Sequence, residues 1–258
     1  MAIERLSDED ELRRFFTPTP VRAAYQLGDL DSNYAPYCTW YGRRDQGELT
    51  HVLLVYTGLS VPALLLMGPA KGVEELLFGV RASLPRSCYV QAPPEHEVAV
   101  GAILGQGNLR RMVRMGLDRR DFKPNYDLGQ VEPITHADTA ALMGLFRFYP
   151  DHFFEPYQLE SGLYFGIWEQ GQLVSAAGVH VVSERFDVVA LGNIVTHPEY
   201  RNRGLAMACS SALLDQAFES VSLAALNTEE SNQAALRSFA KVGFKEHCTF
   251  VEGQVDLD

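Results

Sequence analysis

Cysteine is scarce and scattered: Cys38, Cys88, Cys209 and Cys248 form no C-x-x-C pair, and no histidine stands at metal-ligand spacing from them. A structural zinc site and a disulfide framework are therefore not expected, no metal is assigned, and a reducing cytoplasm is the natural compartment. A membrane span is lacking too. One uncharged run, Val52–Ala70, approaches the required length, but Thr57, Gly58, Ser60 and Pro62 break it into VLLVY and ALLLM. That pattern reads as a buried hairpin. The opening MAIERLSDEDELRRFF is acidic and amphipathic and has no apolar core of the kind a signal peptide needs. Positive charge is missing from the second half. Residues 1–125 hold 15 Lys+Arg against 15 Asp+Glu, so the remainder, with 7 against 18, carries the whole net charge of -11. Such a field disfavours nucleic acid and anionic membranes as partners and favours the approach of cations.

What is present is an ordinary supply of core residues, 47% hydrophobic over 258 residues, enough for two modest domains. In the second half LYFGIWE (Leu163–Glu169) and LVSAAGVHVV (Leu173–Val182) flank Gln170-Gly171-Gln172 and predict a hairpin. Val188–Thr196 is a third strand. From Arg203 the period changes to that of a helix, with Leu205, Cys209, Ala212 and Leu213 on one face. Val221–Leu226 is a strand, Ser231 caps a second helix closed by Gly243, and Cys248–Val251 is the last strand. A strand–helix–strand step implies a parallel pair, and the hairpins imply antiparallel ones, so the sheet is mixed.

The first half repeats this plan: strands at Gly47–Tyr56 and Val61–Met67, a helix over Gly72–Leu84, a strand at Cys88–Gln91, a helix at Glu97–Leu104 and a strand at Arg110–Met115. GELTHVLLVYTG aligns loosely with GQLVSAAGVHVV. Lys123–Gln130, polar with Pro and Gly, is the expected linker. The fold class is α+β (mixed αβ), with two similarly folded domains in tandem, 1–125 and 126–258, each a twisted, mainly antiparallel mixed sheet flanked by helices.

Chemistry concentrates between the third strand and its helix, in IVTHPEYRNRGLA (Ile194–Ala206). A helix start offers unpaired N–H groups and partial positive charge, which together suit a phosphate. Gly204 has no Cβ to obstruct a bulky pyrophosphate, and Arg201 and Arg203 add counter-charge.

Pro198, Arg201, Gly204 and Ala206 resemble the R-x-x-G-x-[GA] signature of the GNAT superfamily of acetyl-CoA-dependent N-acyltransferases. Asn232, Ala235, Gly243 and Phe244 fit that family's N-x-x-A-x(7)-G-F stretch, and the likeness runs from about Val131 to Val251. The second domain is also similar to the glycine N-acyltransferase-like branch. The resemblance implies an acetyl-CoA co-substrate held by Ile194, Val195 and Thr196 along the pantetheine. Arg201, Asn202, Arg203, Gly204, Leu205 and Ala206 would hold the pyrophosphate, with Asn227, Asn232 and Phe239 completing the set. It also implies direct attack by a substrate amine, with the strands splayed to admit the pantetheine.

Two departures matter. Relatives often place a tyrosine seven residues after the Asn to protonate the leaving thiolate, and here that position is Phe239. The general base is open, with His180 and Asn193 as candidates acting directly or through water, against the alternative that His180 is a packing residue. Before the hairpin, FYPDHFFEPYQLESG places Tyr149, His152, Phe154 and Glu155 in a region that is a variable helix walling the acceptor site in the family. Its aromatics suit a small amine by cation–π contact, or else pack between domains. In the first domain the matching turn, Gly68-Pro69-Ala70-Lys71-Gly72, has no arginine, and Pro69 removes a donor, so no second acyl-CoA site is expected. The expected activity is transfer of acetyl to a small-molecule amine by a monomer or homodimer. Acetylation of a protein or peptide, or acyl-CoA binding without turnover, are the alternatives.

Overall fold

The computed structural model describes residues 2–105, 107–124 and 130–257; of the expected linker Lys123–Gln130, residues 125–129 lie outside that description. The first series of elements is β1 (Ala2–Leu6), α1 (Glu9–Phe16), α2 (Ala24–Asp29), β2 (Cys38–Asp45), β3 (Glu48–Tyr56), β4 (Ala63–Met67), α3 (Val73–Val80), β5 (Ser87–Ala92), α4 (Glu97–Leu104) and β6 (Arg110–Asp118). The second is β7 (Val131–Pro133), α5 (Thr139–Phe146), β8 (Phe165–Glu169), β9 (Gln172–Ser183), β10 (Val188–Thr196), α6 (Leu205–Ala217), β11 (Leu223–Glu229), α7 (Gln233–Lys241) and β12 (Lys245–Asp256). Apart from the additional α2, the two series share one order of strands and helices.

Compactness divides the chain at other places. One unit takes the residues up to Arg114, Glu229–Ser231 and the stretch from Cys248; the other takes Met115–Thr228 and Asn232–His247. The first unit thus includes most of β12, the closing strand of the second series, while β6 is divided between the units after Arg114. In the first, β12 lies antiparallel to β5 with Val251 opposite Ala92 and Asp256 opposite Ser87. The strand order there is β1-β2-β3-β4-β5-β12, and in the second unit β11-β10-β9-β8-β7.

Both series turn their hairpin with the same dipeptide. Gln46-Gly47 joins β2 to β3 with φ of 50° and 90°, and Gln170-Gly171 joins β8 to β9 with φ of 52° and 79°. Positive φ at both central residues is the turn whose twist suits paired strands. Each series also contains one parallel step. Ala63–Leu65 pairs with Tyr89–Gln91, and Val188–Ala190 with Leu223–Ala225. All other strand pairs described within the units are antiparallel, which gives the mixed sheet expected.

β3, β4 and β9 are buried in near-continuous runs, as strands covered on both faces are, and alternate residues supply one core. Leu53, Val55, Leu64, Leu66, Val90 and Val251 meet Val73, Leu76, Leu77 and Val100 of α3 and α4 in one core. Side chains of this kind contribute about 1.5–3 kcal/mol each when buried. No helix among the described residues is long and apolar enough to cross a membrane, and Val52–Ala70 forms the β3–β4 pair.

Several local expectations need correction. The helix cap is Asn232, whose Oδ1 accepts the Ala235 N–H at 3.1 Å, while the Ser231 hydroxyl donates to Glu229. The helix expected to Leu84 ends at Val80 and tightens into a 3-10 turn over Arg81–Ser83. The aromatic stretch before β8 is not an α-helix. After α5 it runs irregularly to a 3-10 turn at Pro156–Ser161, where Pro156 and the Glu155 cap favour a tight start.

Candidate active site

β10 is the platform. Its register with β9 continues to Thr196, while its parallel register with β11 ends at Ala190. Between Gly192 and Val195 two residues of β10 stand against one of β9, a bulge at which Asn193 takes φ 54°. Bulges re-aim side chains and end pairing. Here the bulge sits where β10 leaves its register with β11. Ile194, Val195 and Thr196 follow it, with the Val195 carbonyl accepting the Ser175 hydroxyl at 3.0 Å.

Beyond Thr196 the chain makes a short turn at Pro198–Tyr200 and enters α6 through two left-handed residues, Asn202 (φ 63°) and Gly204 (φ 78°). An ideal Cβ at Gly204 meets nothing within 4 Å. The space in front of this helix start is open, and the first N–H groups there have no intrahelical acceptor. Arg201 to Gly204 are all exposed, Leu205 is buried and Ala206 half-buried. The Arg201 Nη2 donates to the Tyr149 hydroxyl at 2.9 Å, and that hydroxyl donates to the Thr196 carbonyl. Arg203 is paired with Glu169, Nη1 to Oε2 at 3.3 Å, and lies 5.3 Å from the Tyr200 ring centroid. Exposed pairs of this kind contribute about 0–1 kcal/mol, so a phosphate can compete for either guanidinium. Tyr149, expected to touch the acceptor, is tied by these bonds to Arg201 and to the end of β10.

On the other side of the bulge, three side chains and a backbone N–H converge. The Gln158 Oε1 accepts from the Tyr164 hydroxyl at 3.0 Å, the Asn193 Nδ2 at 3.2 Å and the Glu155 N–H at 3.1 Å. Asn193 Nδ2 also reaches the Tyr164 oxygen at 2.9 Å. Tyr164 is fully buried, and its ring occupies the space a Cβ at Gly178 would need. Gly178 pairs with Gly192, and a Cβ at Gly192 would collide with the His180 imidazole. Two facing glycines therefore make room for a phenol and an imidazole on one side of the β9–β10 ladder. Burial holds His180 well below the usual histidine range, at about 4, so it is neutral at pH 7. The Phe153 ring stands edge-on to it at 6.2 Å.

The remaining acceptor candidates are mostly structural in their contacts. His152 stacks on Phe146 at 4.5 Å, with Nδ1 accepting the Phe154 N–H, and burial lowers its pKa. Phe154 is buried between Phe146 and Tyr164. Glu155 caps the Pro156–Ser161 turn. Gln158 and Tyr164 carry no motif in sequence; the only signal was the E-x-x-Q spacing of a capping box. On the neighbouring elements, Asn227 lies half-buried in β11, Asn232 caps α7, and Phe239 is buried edge-on to Phe244 at 5.6 Å. No group of His, Cys, Asp or Glu among the described residues could hold a metal ion.

The matching turn of the first unit is filled. Gly72 also opens its helix left-handed, at φ 102°, but a Cβ there would stand 2.6 Å from Arg43 Cζ. Arg43 is buried, with Nε on Glu75 at 2.8 Å and Nη1 on Thr50 at 3.2 Å. The Pro69 carbonyl accepts from both His51 and His96, at 2.9 and 3.2 Å. The protein's own side chains take up the space that stays open at Gly204.

Residues 132–244 match the model of the Acetyltransferase (GNAT) family. A Drosophila protein solved by X-ray crystallography superposes with a TM-score of 0.73 at 15% identity, over 99% of this chain and 98% of that one. A tandem GNAT protein from the clavulanic acid biosynthesis pathway gives 0.59 at 13% identity, over 99% and 98%. A GCN5-related N-acetyltransferase from Kribbella flavida gives 0.60 at 17% identity, over 83% and 90%. No curated protein sequence matches the chain. At these identities the structural likeness speaks for the fold.

Proposed function

We propose that the GNAT domain over residues 132–244 is an acyl-CoA-dependent N-acetyltransferase acting on the amine of a small molecule. The observation that carries this reading is the open, left-handed Gly204 at the start of α6, directly after a strand whose parallel register has ended. A pyrophosphate fits that start, with Arg201 and Arg203 turning from Tyr149 and Glu169 to meet it. The pantetheine lies along Ile194–Thr196, where β10 has left the register of β11. A backbone N–H from Val195 or Thr196 polarises the thioester carbonyl, and a fixed donor so placed lowers the barrier by about 3 kcal/mol.

The amine nitrogen attacks the thioester carbon, and the carbon–sulfur bond breaks as the thiolate leaves. His180 is neutral and able to take the proton of the attacking amine. Its low pKa means it holds that proton only in transit and passes it to water. Asn193, fixed by Gln158 and Tyr164, holds the bulge rather than moving a proton. The thiolate leaves without a tyrosine at position 239. The acidic second half draws cationic amines, and the resemblance to the glycine N-acyltransferase-like branch favours a compact acceptor.

The test is thiol release from acetyl-CoA across an amine panel, with product mass read in parallel. Acetylated product supports the assignment. Tight acetyl-CoA binding with no release on any amine overturns it, and leaves an acyl-CoA-binding protein, a reading that Phe239 favours.

A further inference from the structure

The β10 bulge is the part of the site with the least support from its own strand pairing. Asn193 has no Cα partner in the β9 register, and its backbone is left-handed. A bulged residue of this kind is not fixed by the ladder. Just before it Gly192 faces Gly178, so no side chain of the pair packs there. What holds Asn193 is its own side chain. The backbone N–H of Glu155 can only donate, so the Gln158 atom that faces it at 3.1 Å is the amide oxygen. That polarity carries through the network. Asn193 Nδ2 gives one hydrogen to Gln158 Oε1 at 3.2 Å and the other to the Tyr164 oxygen at 2.9 Å. Tyr164 in turn shares its hydrogen between Gln158 Oε1 and the Val179 carbonyl, at 3.0 and 3.1 Å.

One oxygen, on a side chain only 5% exposed, thus ties together the start of the Pro156–Ser161 turn, a fully buried phenol and the bulge. We propose that Gln158 is a positioning residue for acyl transfer, fixing Asn193 and through it the direction of the Val195 and Thr196 N–H groups. The inference rests on the acetyltransferase reading above and adds to it the group that keeps the donor aimed. Gln158 acts only through Asn193, which stands two and three residues ahead of those N–H groups. Misplacing a catalytic donor by about 1 Å costs roughly 10²-fold in rate, so loss of the tie is felt in turnover. The phosphate contacts lie beyond Thr196, in the turn from Arg201 to Gly204, and make no bond to Gln158 among the described residues.

The test uses the full chain, acetyl-CoA and an amine that the wild type acetylates. Gln158→Leu offers no acceptor, so kcat falls by roughly 10²-fold while the dissociation constant of acetyl-CoA, read by calorimetry, is unchanged. Gln158→Glu keeps the acceptor in a form that titrates. Ionised, the carboxylate accepts from all three donors and supports the wild-type rate. Protonated, it presents a hydroxyl hydrogen where a backbone N–H and an amide N–H also point, and the rate falls. The kcat of Gln158→Glu therefore rises with pH through an inflection that the wild type lacks, which a residue needed only for folding would not produce. If Gln158→Leu does not fold, this profile decides alone. A wild-type kcat in folded Gln158→Leu, or a Gln158→Glu rate without an inflection of its own, overturns the inference and leaves the acetyltransferase reading standing. Acetyl-CoA affinity that falls in step with kcat also overturns it, because the whole site has then moved. Failure of the wild type to acetylate any amine is a separate result, which overturns the acetyltransferase reading and this inference with it.

Discussion

The His180 imidazole rests on Gly192, so closely that the glycine cannot gain a side chain without moving it. The ring is thereby pinned beside the Asn193 bulge. Replacing His180 with Gln is expected to lower kcat by about 10²-fold, the lower range for loss of a general base, with KM for acetyl-CoA unchanged. An unchanged kcat removes His180 from proton transfer. The pH profile gives a second reading. With a pKa near 4 the ring is unprotonated throughout the neutral range, so no His180-dependent inflection is expected near pH 6.5. An inflection there that disappears in His180→Gln would contradict the burial of the ring.

Gly204→Val is expected to spare the fold and weaken acetyl-CoA binding strongly. Its Cβ meets no protein atom, so the cost to the apoprotein is the left-handed backbone, about 1–2 kcal/mol. The loss of two charge-assisted hydrogen bonds at the helix start weakens acetyl-CoA by roughly a hundredfold. Calorimetry together with a melting curve separates the two effects. Unchanged affinity in a folded variant refutes the loop geometry.

Acetyl-CoA is expected to bind with one site per chain. Gly204 is open, whereas Gly72 is crowded by Arg43, which Glu75 and Thr50 hold in place. Titration calorimetry showing two equivalent sites would mean that Arg43 swings out.

Phe239→Tyr is expected to leave turnover unchanged or to raise it by up to roughly 10²-fold, the contribution of a general acid. Phe239 is buried edge-on to Phe244, so the new hydroxyl must reach the sulfur from a packed ring. A marked loss of rate in a folded variant would show that the ring matters by its packing.

The first unit should weaken as pH falls below about 6.5. Burial lowers the pKa of His51 and of His96, and both rings are fully buried around the Pro69 carbonyl. Below the unfolded value the unfolded chain binds more protons than the native one, so stability is full above about 6.5 and declines as pH falls toward the lowered folded values. Urea midpoints between pH 8 and 5 should fall with acidification, and His96→Phe should flatten the slope. A midpoint independent of pH would show that neither ring is held neutral.

What was legible in the sequence was local. β10 and α4 have the bounds their patterns gave, because a β-branched run and a Glu-led apolar run are unambiguous. β2 was hidden: it carries Arg43 and Arg44, charged residues that give no strand signal, yet Arg43 is buried by its pairing with Glu75, 32 residues away. β1 was missed because four of its five residues are exposed. α5 was overlooked beside the conspicuous aromatics that follow it. The Gln158–Tyr164–Asn193 network spans 35 residues and has no periodicity to betray it.

The place of β12 in the first unit has a consequence for synthesis. β5 finds its antiparallel neighbour in Val251–Asp256, at the far end of the chain. The first unit therefore cannot finish folding as it leaves the ribosome, although domains commonly do so in order. It must wait with an open strand edge until the last residues emerge. Loss of Val251–Asp256 would be felt first at β5, far earlier in the sequence, which would be left with an open edge.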